Sequence, residues 1–210
     1  MSSDMSKTAG VILAGGLARR MGGGDKGLLE LGGQPILRHV IDRLSPQVGA
    51  LALNANGDPQ RFAAYGLPVV ADSIEGFAGP LAGVLAGLDW AAGQGAEAIV
   101  TAAADTPFFP RDLVARLNAC ASGQEHPLVL AATPDPERGR VRHPTFGLWP
   151  VALRDDLRAA LEGGLRKVVL WTDGHDGREA LFEDGPPDPF FNVNTPEDLA
   201  TARALMERTT

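Results

Sequence analysis

The chain has 210 residues, enough for one domain with a sizeable core, and its 44% hydrophobic and 21% charged content is that of a globular protein rather than a disordered one. A net charge of −7 weighs against nucleic acid as the main partner, although an acidic protein can still hold an anionic nucleotide where positive charge is local. The single Cys120 excludes an intrachain disulfide and a multi-cysteine zinc site, and no apolar segment is long enough to span a membrane. Residues 1–9 read as a polar tail without the apolar core of a signal peptide, so a cytoplasmic location is expected, with residues 10–210 as a single domain.

In chain order, Val11-Ile-Leu13 predicts a strand buried on both faces, ending in a glycine-rich loop. Ile36, Leu37, Val40, Ile41 and Leu44 recur at helical spacing, with Pro35 suited to the first turn. Ala50–Leu53 predicts a second strand ending at Asn54, and Leu67–Val70 a third ending near Asp72. Leu81, Val84, Leu85 and Leu88 mark the next helix, Ala98–Thr101 a strand running toward Asp105, and Leu113, Val114 and Leu117 a helix near Cys120. Leu128–Ala131 and Thr145–Trp149 are strand-like, joined by a turn-rich, basic link from Pro134 to Pro144. Leu153, Leu157 and Leu161 line one face of a helix, while Val168–Trp171 fits a strand or a short helix equally. Thr195-Pro-Glu-Asp198 opens the last helix with an N-cap, a proline at the first position and two early acids. Apolar runs alternating with helical patterns imply an α/β fold with a mostly parallel sheet and helices on both faces, including an antiparallel strand from the 126–150 region.

The stretch from Gly10 to Gly27 carries the most chemical information. Gly15, Gly16, Gly22, Gly23 and Gly24 allow backbone N–H groups to approach a polyphosphate, and Arg19, Arg20 and Lys26 supply local positive charge. Neither familiar glycine fingerprint accounts for it. The P-loop spacing is absent, and Gly22, Gly24 and Gly27 match the dinucleotide spacing only by accident, well past the strand end. Open α/β sheets bind ligands beyond the carboxyl ends of their strands, which is where this loop falls. Asp105 should reach the same edge, as a Mg²⁺ ligand beside phosphates or, in the plainer reading, as a turn or N-cap aspartate. Asn54 and Asp72 close two strands, where residues of their types are ordinary turn formers. Arg138, Arg140, Arg142 and His143 form a basic run suited either to a phosphate-bearing second substrate or to solvent. His39, His126 and His175 lack ligand-like spacing.

Leu13-Ala-Gly-Gly-Leu-Ala-Arg-Arg-Met-Gly-Gly-Gly-Asp-Lys-Gly-Leu-Leu29 resembles the signature of the molybdenum cofactor guanylyltransferases, within the wider nucleotidyltransferases. The similarity continues through Asn54-Ala-Asn56, Asp72-Ser73, Gly79-Pro-Leu-Ala-Gly83, Asp105-Thr-Pro107, His143-Pro-Thr145 and Asn192-Val-Asn-Thr-Pro-Glu-Asp198, covering nearly the whole chain. The resemblance implies a Rossmann-like three-layer α/β/α nucleotidyltransferase fold that joins GMP from GTP to the terminal phosphate of molybdopterin and releases pyrophosphate. It implies Asp105 as the Mg²⁺ ligand, and Asp105, Lys26 and Arg20 as catalytic. It places Leu13, Ala14, Gly15, Gly16, Lys26, Asn54, Asp72 and Asp105 on the nucleotide, and Arg142, His143, Asn192 and Asn194 on the second substrate. A molybdenum insertase and acceptor molybdoenzymes are the implied partners. Cytidylyl transfer to the same cofactor, sugar-phosphate nucleotidyl transfer and a non-catalytic nucleotide-binding role are the alternatives. The 134–142 segment is more arginine-rich than the family pattern.

Overall fold

The computed structural model describes residues 7–15, 25–74, 76, 79–183, 185 and 187–207. Strands β1 (Thr8–Leu13), β4 (Ala50–Asn54), β5 (Val69–Val70), β6 (Ala98–Ala103), β7 (Val129–Asp135), β8 (Gly139–Pro150) and β9 (Arg178–Leu181) form one sheet in the order β5-β4-β1-β6-β8-β7-β9. β1 pairs in parallel with both β4 and β6, whereas β8 is antiparallel to β6 and to β7. The antiparallel strand expected from the 126–150 region is therefore β8. A separate hairpin pairs β2 (Glu30–Leu31) with β3 (Gln34–Pro35).

Helices cover both faces. On one side, α1 (Ile36–Leu44), α3 (Leu113–Cys120) and α6 (Pro196–Glu207) pack against Ile12, Leu53 and Val100. On the other, α2 (Pro80–Gly93), α4 (Arg154–Glu162) and α5 (Val168–Gly174) pack against Val11, Ile99 and Trp149. Neighbouring Val11 and Ile12 are fully buried on opposite sides, as the period-two geometry of a central strand requires. Each such side chain contributes about 2 kcal/mol of burial, so the apolar run that marked β1 also anchors both helix layers. Val168–Trp171 is helical and lies in α5.

Two expected elements differ. The 67–70 strand is reduced to Val69–Val70 because Pro68 has no N–H to offer; its carbonyl instead accepts Leu53 N at 2.9 Å. The link from Pro134 to Pro144 is mostly strand, because β7 and β8 continue as a hairpin to the Asp135–Gly139 pair. Arg140 and Arg142, two apart on β8, both reach Glu179 on β9, so the alternation belongs to a strand face rather than a loop.

Candidate functional site

The carboxyl ends of the central strands fix the site. Leu13 pairs with Asn54 on one side and Ala103 on the other. The pairing runs one residue further, with Ala14 N donating to Asn54 O at 2.8 Å and Ala104 N to Leu13 O at 3.1 Å. Leu13, Ala14 and Gly15, Asn54, and Ala103 to Asp105 thereby line a single cavity of about 780 Å³, the size of a nucleotide-class ligand site. Lys26, Asn56, Asp72, Gly79, Pro80 and Thr145 complete parts of its wall. Gly16, Arg19, Arg20 and Gly22 to Gly24 lie outside the described residues.

Lys26 meets Asp105 at this edge, Nζ to Oδ2 at 3.6 Å, with both side chains about one-fifth exposed. Close packing brings them together. A Cβ on Gly27 would come within 3.3 Å of Ala104 O and of Leu37 Cβ, so the lysine loop lies directly on the exit of β6. Burial pushes the Asp105 carboxyl above the ordinary aspartate range, and the ammonium of Lys26 opposes the shift. Lys26 Nζ also donates to Asn194 Oδ1, and Thr106 Oγ1 donates to Asn192 Oδ1. Val193 N donates to Asp105 O at 2.9 Å, fastening the segment before α6 to the end of β6. That segment is held from its other side by a capping box. Asp198 N donates to Thr195 Oγ1, and Asp198 Oδ2 accepts Thr195 N and Asn194 N. Asp105, Lys26, Asn192 and Asn194 thus form one polar cluster from three distant parts of the chain.

The opposite wall is built on Asp72. Asn54 Nδ2 donates to its Oδ1 at 2.9 Å and Asn56 Nδ2 to its Oδ2 at 2.8 Å, while Asp72 N returns a 2.9 Å bond to Asn56 Oδ1. Asn54 Nδ2 also reaches Val70 O at 3.2 Å. Two amides therefore fix the plane of one carboxylate, and each carboxylate oxygen keeps further acceptor capacity. Asn56 was legible only as part of a motif; its role in holding Asp72 depends on a turn that returns from β5. Gly83 in α2 makes room for the same wall, because a Cβ there would come 2.9 Å from Leu13 Cδ2 and closer still to Asn54 Oδ1.

The other expected residues lie differently. Arg142 is held by Glu179 and by Asp173, the latter at 2.7 Å, and is not among the residues lining the cavity. His143 stacks on Phe190 with centroids 4.2 Å apart and shares a 2.9 Å hydrogen bond with Thr133 Oγ1; burial holds its pKa below the ordinary histidine value. It too is absent from the lining, although Thr145 on the same strand is present. Arg140 pairs with Glu179 at 2.8 Å. His39 bonds Leu31 O and His175 bonds Asp156, both at 2.8 Å, in scaffold contacts. Cys120 ends α3, and its thiol pKa is raised by burial. No described helix is long and apolar enough to cross a membrane.

A carboxylate one-fifth exposed beside an ammonium, facing a fixed carboxylate across a nucleotide-sized cavity, suits a ligand with an anionic end and a hydrogen-bonding end. Residues 10–176 match the family described as the MobA-like NTP transferase domain. The molybdenum cofactor guanylyltransferase of Bradyrhizobium sp. (strain ORS 278) is 54% identical over 207 residues, covering 97% of this chain and 95% of that protein. The molybdenum cofactor guanylyltransferase of Mesorhizobium japonicum is 51% identical, covering 96% and 97%. Among solved structures, the molybdopterin-guanine dinucleotide biosynthesis protein A of Archaeoglobus fulgidus aligns with a TM-score of 0.73 at 21% identity, over 95% of this chain and 99% of that one. The 4-diphosphocytidyl-2C-methyl-D-erythritol synthase of Anaerococcus prevotii aligns with a TM-score of 0.74 at 15% identity, over 98% of each. At these identities the two structures speak for the Rossmann-like nucleotidyltransferase fold alone.

Proposed function

The chain belongs to the MobA-like NTP transferase family, and from that premise we propose that it transfers GMP from GTP to the terminal phosphate of molybdopterin, releasing pyrophosphate. The observation that carries this reading is one cavity with a lysine–carboxylate pair at one end and the doubly held Asp72 at the other. The names of the relatives at about 50% identity support the choice of substrates.

The phosphate end needs alignment and charge compensation rather than a protein nucleophile. A terminal phosphate oxygen of molybdopterin attacks the α-phosphorus of GTP, the bond to the β-phosphate oxygen breaks, and pyrophosphate leaves with the electron pair. Lys26 offsets the negative charge, Arg20 is assigned to the same task, and Leu13, Ala14, Gly15 and Gly16 bring the chain against the nucleotide. Asp105 fits a magnesium ion: it is a single hard oxygen donor in a polar cluster, and Mg²⁺ commonly completes its shell from substrate phosphates and water. When bound there, the metal supplies charge stabilisation at the phosphates. Lys26 opposes the upward push of burial on Asp105 and so favours the ionised form, the form able to act as a ligand.

At the base end, Asp72 accepts from N1–H and N2–H of guanine, its plane preset by Asn54 and Asn56. Adenine has no N1–H or N2–H to donate and would leave the remaining acceptor capacity of that carboxylate unmet, which is a basis for rejection. The molybdopterin side is assigned to Asn192 and Asn194, next to Asp105. The assignment extends to His143 and Arg142 on β8, where Arg142 would share its guanidinium between its carboxylates and a phosphate. Residues 10–210 are read as one domain acting in the cytoplasm, taking cofactor from a molybdenum insertase and passing it to acceptor molybdoenzymes.

The test is pyrophosphate release with Mg²⁺ and molybdenum-loaded molybdopterin, comparing GTP, CTP, ATP and UTP. Release with GTP alone is expected. Release with CTP would replace the guanine assignment of Asp72, and release with none of the four would overturn the transferase reading.

A further inference from the structure

Arg61 stands outside the cavity and is used by none of the chemistry above, yet it joins the two halves of the site. Its guanidinium spends three nitrogens on three partners, each at 2.6 Å: Nε on Asp25 Oδ2, Nη1 on Asp58 O and Nη2 on Asn56 O. The buried ring of Phe62 lies beneath it, 4.6 Å from the guanidinium carbon. Asp25 immediately precedes Lys26, and Asn56 is the residue whose side chain holds Asp72. The Asp25 side chain is only 13% exposed, and among the described residues Arg61 is the cation paired with it.

We propose that Arg61 is a positioning residue that couples the Lys26 loop to the Asn56–Asp72 wall and keeps the Asp25 carboxylate from opposing the nucleotide's phosphates. The fork geometry explains why arginine serves here: one planar group bonds a carboxylate and two carbonyls in fixed directions, which an ammonium cannot do as rigidly. The inference rests on the nucleotide reading for its effect on catalysis, while the mechanical link stands on the geometry alone.

Three variants of the full chain test it: Arg61→Gln, Asp25→Asn and the double variant. Arg61→Gln removes the described cation that pairs with Asp25 beside Lys26, so KM for GTP should rise about tenfold, the scale of one charge-assisted anchor, with kcat and KM for molybdopterin little changed. Removing the stranded charge should then help. The double variant should recover to within about threefold of the unmodified protein, a non-additivity that simple loosening of the fold would not give. A wild-type KM for Arg61→Gln, or a double variant as impaired as Arg61→Gln, would overturn the proposal. Amide hydrogen exchange without nucleotide separates the link from the activity. Arg61→Gln should speed exchange in both 25–28 and 54–58 while β6 stays protected. If the unmodified protein released no pyrophosphate from GTP, the transferase reading would fail, and exchange unchanged in either segment would still refute the link.

Discussion

Replacing Gly83 with alanine tests the base-side wall by adding one methyl group. In isolation the change favours the fold, because alanine in a helix interior is about 1 kcal/mol better than glycine. In α2 the new Cβ would sit 2.9 Å from Leu13 Cδ2, 3.0 Å from Asn54 Cγ and nearer still to Asn54 Oδ1. Asn54 cannot yield freely, since its amide is held by Asp72 Oδ1 at 2.9 Å and Val70 O at 3.2 Å. Overpacking costs about 1–3 kcal/mol and a lost hydrogen bond to a charged group about 1.5–3 kcal/mol. Against the propensity gain, a net loss of roughly 3 kcal/mol follows, with GTP affinity reduced about tenfold as Asp72 loses one holder. Gly93, at the exposed end of the same helix, is the control: nothing lies within 4 Å of its Cβ position, so Gly93→Ala should be neutral or stabilising by up to about 1 kcal/mol. Urea denaturation and calorimetric titration with GTP read both quantities. Gly83→Ala with unchanged stability and unchanged GTP affinity would refute the packing argument.

Other outcomes follow from charge. Asp105→Asn should abolish most turnover while the protein melts no lower without ligands. Because burial raises the folded pKa of Asp105, its contribution to stability is full below the unfolded pKa and is lost as pH rises through the raised value. The stability advantage of Asp105→Asn should therefore grow with pH across the acid range; an advantage that shrinks instead would contradict the assigned direction. His143 has the opposite sign. Its folded pKa is lowered by burial, so stability falls as pH drops below the ordinary histidine value, and His143→Gln should flatten that part of the urea-midpoint curve. An unaltered slope would place the titration elsewhere.

The layout of β1, β4, β6 and α1 to α4 was legible because each carries its own local signal: a short apolar run or a single buried helical stripe. Lys26 and Asp105 were legible as loop residues following strand signals, and parallel pairing of β1 with β6 brings them within 3.6 Å. Elements defined by distant partners were harder to read. β9 is four residues at the sheet edge, paired among the described residues with β7, and Arg178-Glu-Ala-Leu181 has no distinctive alternation. The β2–β3 hairpin turns on Gly32 and Gly33, both at positive φ, a two-residue signal hidden beside a longer glycine run. The basic run around Arg140 and Arg142 gave no local sign of its paired acids, Asp173 and Glu179, because these lie 31 to 39 residues on. Arg61 carried no motif at all; only the fold brings Asp25 and Asn56 to its two sides.

The most direct measurement of the central claim follows the fate of the GTP phosphates. With molybdenum-loaded molybdopterin and Mg²⁺, label on the α-phosphate should appear in the dinucleotide product and label on the γ-phosphate in pyrophosphate, with neither formed by Asp105→Ala. Gamma label released as orthophosphate, or α label remaining in GDP, would mean cleavage at the wrong phosphorus and would contradict GMP transfer.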